Sequence, residues 1–238
     1  MNQGPLIFLG IYLAMGLSWL GMVFLPQAQL GRLQETTVPP AGARYPAPRS
    51  GVAQEGRSVY RANGCYYCHT QQVRAPGVGA DFERGWGKRH SVATDYLYEH
   101  PLMLGNVRVG PDLANIGVRQ PDTATHLLHL YNPQLTAKGS TMPPYDFLFE
   151  KRKVRGAPSP DALKLPGDMP LEAGYEIVPK PEALALVAYL QSLQAGVSLF
   201  EAPLPLPPKK AGTASGTNQP PAGSTATNPP AASVPPQK

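Results

Sequence analysis

Cysteine is nearly absent. Cys65 and Cys68 are the only two in 238 residues, which excludes a disulfide-stapled scaffold. Charge is also scarce: Asp, Glu, Lys and Arg make up 16% of the chain, and its basic residues are scattered, with no basic run longer than three. The net charge of +5 therefore reads as solubility rather than a nucleic-acid groove. No internal repeat is visible. What the chain has in excess is proline, 29 residues, and glycine, 24, which argues against one compact, uniformly helical enzyme. The length suits one domain or two small ones. Apolar and proline-rich residues collect at opposite ends.

The apolar end is Leu6 to Leu25, twenty residues without a charge, eleven of them Leu, Ile, Val or Phe. As a helix it is about 30 Å long, enough to cross a bilayer, and these side chains favour insertion by about 3 to 7 kcal/mol. A cleaved signal peptide is disfavoured, because residues 1–5 carry no Lys or Arg and PQAQ at 26–29 is a poor cleavage site. The expectation is a retained single-pass anchor over residues 1–26. Gly10, Ala14 and Ser18 form a small-xxx-small stripe, either a helix contact or a coincidence of composition. Arg32, Arg44 and Arg49 all follow the span, which by the positive-inside rule would leave the rest of the chain in the cytoplasm.

Residues 27–50 are rich in Pro, Gly and Ala and read as a stiff, extended linker. Residues 51–200 hold all five histidines and nearly all aromatics outside the anchor, so they form the folded domain. Residues 201–238 are a Pro/Ala-rich tail with no periodic apolar pattern, expected to be disordered. Within the domain three helices are predicted: Ala53 to Asn63, stopped at Gly64; Thr123 to Tyr131, stopped before Pro133; and one starting near Pro181, with Leu184, Val187, Leu190 and Leu193 along one face, widened by Leu186 and Tyr189, and ending at Gly196. No alternating strand is recognisable, so the fold class is all-α. A domain this rich in loops needs something else to fill its centre.

Residues 65–69, Cys-Tyr-Tyr-Cys-His, supply a candidate. C-x-x-C-H is the attachment signature of c-type haem. Two thiols three apart reach the two vinyl groups of one porphyrin, and the next residue, His69, sets its imidazole under the iron. A zinc knuckle would need more ligands than His126 and His129 supply, and a redox C-x-x-C would need an α/β context. Covalent haem attachment takes place outside the bacterial cytoplasm. That outweighs the arginine count and puts the domain on the periplasmic side of the inner (cell) membrane.

The sixth iron ligand decides the chemistry. Met–His ligation raises the potential and closes the iron, which suits electron transfer, whereas an open site suits gas or peroxide chemistry. Outside the span, Met103, Met142 and Met169 are available. Met142 is favoured, because Pro143 and Pro144 after it stiffen its loop. His126 and His129 are the alternatives, and otherwise serve in helix packing or partner contact.

Several blocks in fixed order carry a resemblance: GCYYCHTQQ at 64–72, GWGKRHSV at 85–92, then DYLY at 95–98 and His100-Pro101, RVGPDL at 108–113, HLYNP at 129–133, STMPPY at 140–145, and AYLQSL at 188–193. With the N-terminal span, the chain resembles the mono-haem cytochrome c subunit (subunit II) of cbb3-type cytochrome c oxidases. The resemblance implies a class I-like cytochrome c domain that carries one covalent haem c. It implies a chain with no catalytic centre for oxygen reduction, which takes electrons from a di-haem or mono-haem c-type cytochrome and passes them to haem b of the haem–copper catalytic subunit. It implies Cys65 and Cys68 on the haem, His69 and Met142 on the iron, and the Pro111 carbonyl as acceptor for the His69 N–H. Leu104 and Val107 depart from the Trp and Lys usual in the third block, and residues 150–180, with Lys151, Arg152, Lys153 and Arg155, diverge: either a solvated loop or a steering surface for an acidic donor. An anchored cytochrome c of a nitric oxide reductase, or of another quinol-linked respiratory complex, is the alternative reading. A haem sensor or peroxidase with an open iron, or a purely structural subunit, are the readings from other classes.

The two haem propionates need donors, for which arginine is suited. Of Arg74, Arg84, Arg89, Arg108 and Arg119, Arg108 is the first choice for its place beside GPDL, and Arg74 the second. Trp86 and Tyr145 are candidate single donors.

Overall fold

The computed structural model describes residues 3–40, 42–167 and 171–204. The tail read as disordered falls almost wholly outside them, as does Met169.

The apolar run forms one continuous helix, α1 (Gly4–Leu30), the one helix among the described residues long and apolar enough to cross a membrane. Its middle widens to a π-helical turn over Leu20–Phe24, where the Leu25 N–H bonds the Leu20 carbonyl. Pro26 follows directly. A proline ring clashes with the carbonyl four residues back, and the wider turn makes room for it without ending the helix. The helix thus outlasts its proline and reaches Leu30.

The stretch read as a linker is more than a tether. Strands β1 (Thr36–Val38) and β2 (Ala43–Tyr45) pair antiparallel, with Thr36 opposite Tyr45. Tyr45 is buried and donates its hydroxyl to Asp95 at 2.8 Å. Arg89 holds the same carboxylate through both arms, at 2.6 and 2.9 Å. Burial beside that carboxylate pushes the Tyr45 phenol well above its ordinary range.

The domain is built on two crossing helices, α2 (Gly51–Ala62) and the last helix, α5 (Pro181–Ser192), with α3 (Ile116–Arg119) and α4 (Thr123–Tyr131) between them in sequence. Ser50 caps α2 by accepting from the Ala53 N–H. Where α2 meets α5 there is no room for a side chain: a Cβ on Gly56 would lie 1.8 Å from the Ala185 carbonyl oxygen. Tyr60 and Tyr189 pack at this crossing with their ring planes tilted by 60° and centroids 5.3 Å apart, both essentially inaccessible to solvent. Around them Leu113, Leu127, Leu130, Leu186, Val187 and Leu190 complete the core.

The all-α expectation does not hold throughout. Besides the β1–β2 hairpin, β3 (Phe149–Lys153) and β4 (Tyr175–Pro179) pair antiparallel, Phe149 opposite Pro179. Sequence FEKRK shows no alternation because only Phe149 turns into the core; the other four side chains are exposed. In β4 the alternation is masked by Glu176, a carboxylate at a buried position, held by Arg152 Nε at 2.8 Å and the Ser159 N–H at 2.7 Å. The predicted helices stand, α4 with the bounds expected. α5 stops at Ser192, short of Gly196, where Asn115 accepts from the Ala195 N–H at 2.8 Å and draws the chain away.

Candidate haem site

The C-x-x-C-H run leaves α2 in a 3-10 turn, Cys65–Tyr67, whose close is the His69 N–H bonding the Cys65 carbonyl at 3.0 Å. Beyond it the backbone is bracketed by the 108–113 segment: the Gly110 N–H donates to the Cys68 carbonyl at 3.0 Å and the Leu113 N–H to the Thr70 carbonyl at 2.7 Å. The His69 imidazole sits between these two bonds. Its Nδ1 lies 2.8 Å from the Pro111 carbonyl oxygen. A carbonyl only accepts, so Nδ1 carries the proton and Nε2 keeps a free lone pair. Partial burial lowers the basicity of the ring, with the Pro111 carbonyl working against that shift.

Gly110 is required here for space. A Cβ would fall 2.2 Å from His69 Cε1 and 2.7 Å from Nδ1. Gly110→Ala is therefore expected to turn the ring off the Pro111 carbonyl and to cut the yield of haem-loaded protein several-fold, measured as haem absorbance per mole of chain.

His69 opens onto a mostly apolar chamber of about 310 Å³, lined by Cys65, Pro111, Leu113, His126, Met142 and Leu186 among others. A second chamber of about 470 Å³ shares Cys65, His69, Pro111, His129 and Met142 with it, and adds Cys68, Val109, Pro143 and Tyr145. Burial pushes the Cys65 thiol up to about 11, while Cys68 is exposed at the rim. The His69 ring, the Cys65 thiol and the Met142 thioether thus border both of two adjoining chambers, and Cys68 borders the second; each is within the size range of cofactor pockets, roughly 300 to 1,000 Å³. This donor set, two thiols at the edge, an imidazole with Nε2 free and a thioether, is chemically suited to a covalently tethered haem. Among the described residues no group of three or more His, Cys, Asp or Glu side chains could hold a bare metal ion.

The other sequence candidates divide. Met103 is buried in the core. His126 lines the first chamber but gives its Nε2–H to the Gln120 carbonyl at 2.8 Å. His129 lines both chambers and is hydrogen-bonded through Nδ1 to the Thr136 hydroxyl. Tyr145 lines the second chamber, and its backbone N–H is fixed to the Leu130 carbonyl at 2.8 Å. Arg108, Arg74 and Trp86 line neither chamber. Arg108 has every donor nitrogen engaged: Nη1 and Nη2 on Asp81 at 2.5 and 2.9 Å, Nη2 also on the Gln72 carbonyl at 2.7 Å, and Nε on the Thr70 hydroxyl at 2.8 Å. The Arg74 N–H also donates to Asp81, at 2.7 Å. Trp86 is flanked by the guanidinium groups of Arg84 and Arg108, at 4.9 and 5.1 Å from its ring centroid. Arg89 holds Asp95, and Arg119 reaches the Asp112 carbonyl.

Sequence reasoning passed over Asp112 and Asp81. Both are wholly buried, and both organise the backbone around His69. The available signal was an acidic residue between Pro111 and Leu113, inside a block otherwise destined for the interior.

A search of curated proteins found no match to this chain. A protein-family model described as "Cytochrome C oxidase, mono-heme subunit/FixO" matches residues 33–165, more than half of the chain and every block quoted above except AYLQSL. The chain therefore belongs to the FixO family, the mono-haem cytochrome c subunits of cbb3-type cytochrome c oxidases.

Proposed function

We propose that this chain is a membrane-anchored electron relay, taking electrons from a c-type cytochrome, di-haem or mono-haem, and delivering them to the haem–copper catalytic subunit that its family implies. The observation that carries the reading is the joint lining of one apolar space by Cys65, His69 and Met142, with His69 Nδ1 already bound by Pro111. Haem c held there supplies a one-electron couple at its iron.

The protein's part is positioning. Cys65 and Cys68 tether the ring edge through thioethers, so the cofactor cannot leave during turnover. His69 offers Nε2 to the iron, and the Pro111 carbonyl fixes the ring orientation and raises its basicity. Met142 would supply the second ligand, since its thioether lines the same chambers as His69. With both ligands in place the site would be closed to oxygen and peroxide and suited to electron transfer. Leu113, Leu186 and Leu190 keep water off the ring. Of the sequence candidates for the propionates, Tyr145 is the one that lines a chamber, with its hydroxyl beside the Cys65 thiol. The helix Gly4–Leu30 anchors the chain in the bacterial inner membrane, and the need for haem attachment outside the cytoplasm places the domain on the periplasmic side.

The test is native purification of the detergent-solubilised complex, with a pyridine haemochrome spectrum and intact mass of this chain. The expected result is one haem per chain that survives denaturation, in company with a large multi-span haem–copper subunit. A chain at its bare mass, without colour, would overturn the reading. Cys65→Ser is expected to lower assembled complex in the membrane several-fold.

A further inference from the structure

Asp112 is fully buried and has donors on every side. Its Oδ2 accepts from the Thr70 hydroxyl at 2.6 Å and the Gln72 N–H at 2.7 Å, and its Oδ1 from the Ala114 N–H at 2.9 Å. Arg108 Nη2 stands 3.6 Å from it. An ionised carboxylate is acceptor-only, and an environment made only of donors holds it in that form. The carboxylate is thus a bridge. It joins the residues just after His69 to the segment whose Pro111 carbonyl orients His69.

The same cluster has a definite charge. Two wholly buried carboxylates, Asp81 and Asp112, share Arg108, which Asp81 holds through both arms; Arg119 also comes up to Asp112, but it bonds the backbone carbonyl rather than the carboxylate. Arg108 is matched to Asp81 and only approaches Asp112, so the Asp112 carboxylate has no close ion pair and its charge is held chiefly by neutral donors. Its neighbours in sequence and space are Pro111 and, through Pro111, the His69 imidazole.

We propose that Asp112 is a positioning residue for the proximal histidine, and that its buried negative charge stabilises the oxidised state of the cofactor and so sets the midpoint potential. The proposal rests on the haem-relay reading above. The two effects reinforce each other. The clamp keeps the Pro111 carbonyl on His69 Nδ1, which makes the imidazole a stronger donor to ferric iron. The charge itself favours the more positive oxidation state.

The experiment is redox titration of the purified complex, with the optical spectrum followed throughout. Asp112→Asn keeps the shape but removes the charge and replaces one acceptor by an amide donor. Its midpoint is expected to rise by the equivalent of roughly tenfold in the redox equilibrium, which is 59 mV for one electron. The methionine-ligated ferric spectrum is expected to persist. Thr70→Val removes one donor from the same carboxylate and the acceptor of Arg108 Nε, while Asp81 still holds both arms of Arg108; it leaves the Asp112 charge less neutralised and is expected to move the midpoint down. Opposite signs in the two variants are the signature of the charge. A midpoint that stays put in both, or that falls in both with loss of the ferric ligand band, assigns Asp112 to packing alone and overturns the inference. If Asp112→Asn does not assemble, Thr70→Val decides the question by its sign. A wild-type complex in which this chain carries no haem would instead defeat the relay reading, which separates the two failures.

Discussion

Replacing Met142 by alanine is expected to lower the midpoint potential of the haem by about 100 mV or more, since axial ligands alone span about 0.8 V across haem proteins. At 59 mV per tenfold, that moves the equilibrium with the donor roughly fifty-fold against this chain. Met142 lines both chambers, and its loop is pinned at each end. The Ser140 N–H bonds the Ala137 carbonyl at 3.0 Å, and the Tyr145 N–H bonds the Leu130 carbonyl at 2.8 Å, so the loop is tied to the end of α4. The Met142 N–H adds a bond to the Ser140 hydroxyl at 3.3 Å. Prolines 143 and 144 restrict what remains. The loop should therefore keep its place without the thioether, leaving a small space at the iron rather than a collapsed site. Turnover of the oxidase complex with its cytochrome donor is expected to fall, and the reduced variant to bind carbon monoxide where the native chain does not. The alternative ligand is His129, which lines both chambers beside Met142. If the variant keeps the native ferric spectrum and potential, the sixth ligand is not Met142, and His129→Ala becomes the variant that must change them.

Local signals were legible in this chain and distant pairings were not. α4 keeps its predicted bounds because both stops are written next to it: Asp122 accepts from the Thr125 N–H at 2.7 Å at one end, and Asn132 with Pro133 breaks the helix at the other. C-x-x-C-H is equally local, since five consecutive residues carry its chemistry. The β3–β4 hairpin escaped notice because its register is set by cross-strand partners. Glu176 is acceptable at a buried position because the Ser159 N–H and Arg152, 17 and 24 residues earlier, both reach it. The same limit displaced Arg108. Beside GPDL it reads as a propionate donor, but Asp81 lies 27 residues away in sequence and takes both its arms. No spacing rule predicts that encounter. Asp112 was hidden for the same reason, since its partner Thr70 is 42 residues distant. The sequence names candidate haem-binding groups, and the fold decides which charges stand behind them.

Glu99→Ala is expected to destabilise the domain by about 3 to 5 kcal/mol, the cost of stranding a buried charge by deleting its partner. Glu99 is 4% exposed and receives two guanidinium groups. Arg57 on α2 donates Nε to it at 2.8 Å and reaches the Pro101 carbonyl through Nη2 at 2.6 Å. Arg49, from the chain just before α2, forms the second ion pair, gives Nε to the Ser192 hydroxyl at 3.0 Å and lies 5.2 Å from the Tyr189 ring centroid. The triad therefore ties the approach to the domain, both core helices and the 99–104 segment at one point. That segment in turn supports the site, because the Leu104 carbonyl accepts from the Gln71 N–H at 2.8 Å, two residues beyond His69. Removing Glu99 leaves Arg57, itself 5% exposed, with one neutral carbonyl and no counter-charge. For a domain of this size each kcal/mol moves the melting temperature by about 2 to 4 °C, so a fall of roughly 6 to 20 °C is expected. Calorimetry of the haem-loaded protein measures it. Glu99→Gln should recover only part of the loss, since the amide oxygen can accept from one guanidinium but carries no charge to balance two. The haem spectrum well below the melting temperature should stay native in both variants, because the triad touches none of the residues at the iron. A melting temperature within about 2 °C of native in Glu99→Ala would mean that water reaches Arg57 in the folded chain and that the triad is not the fastening described here.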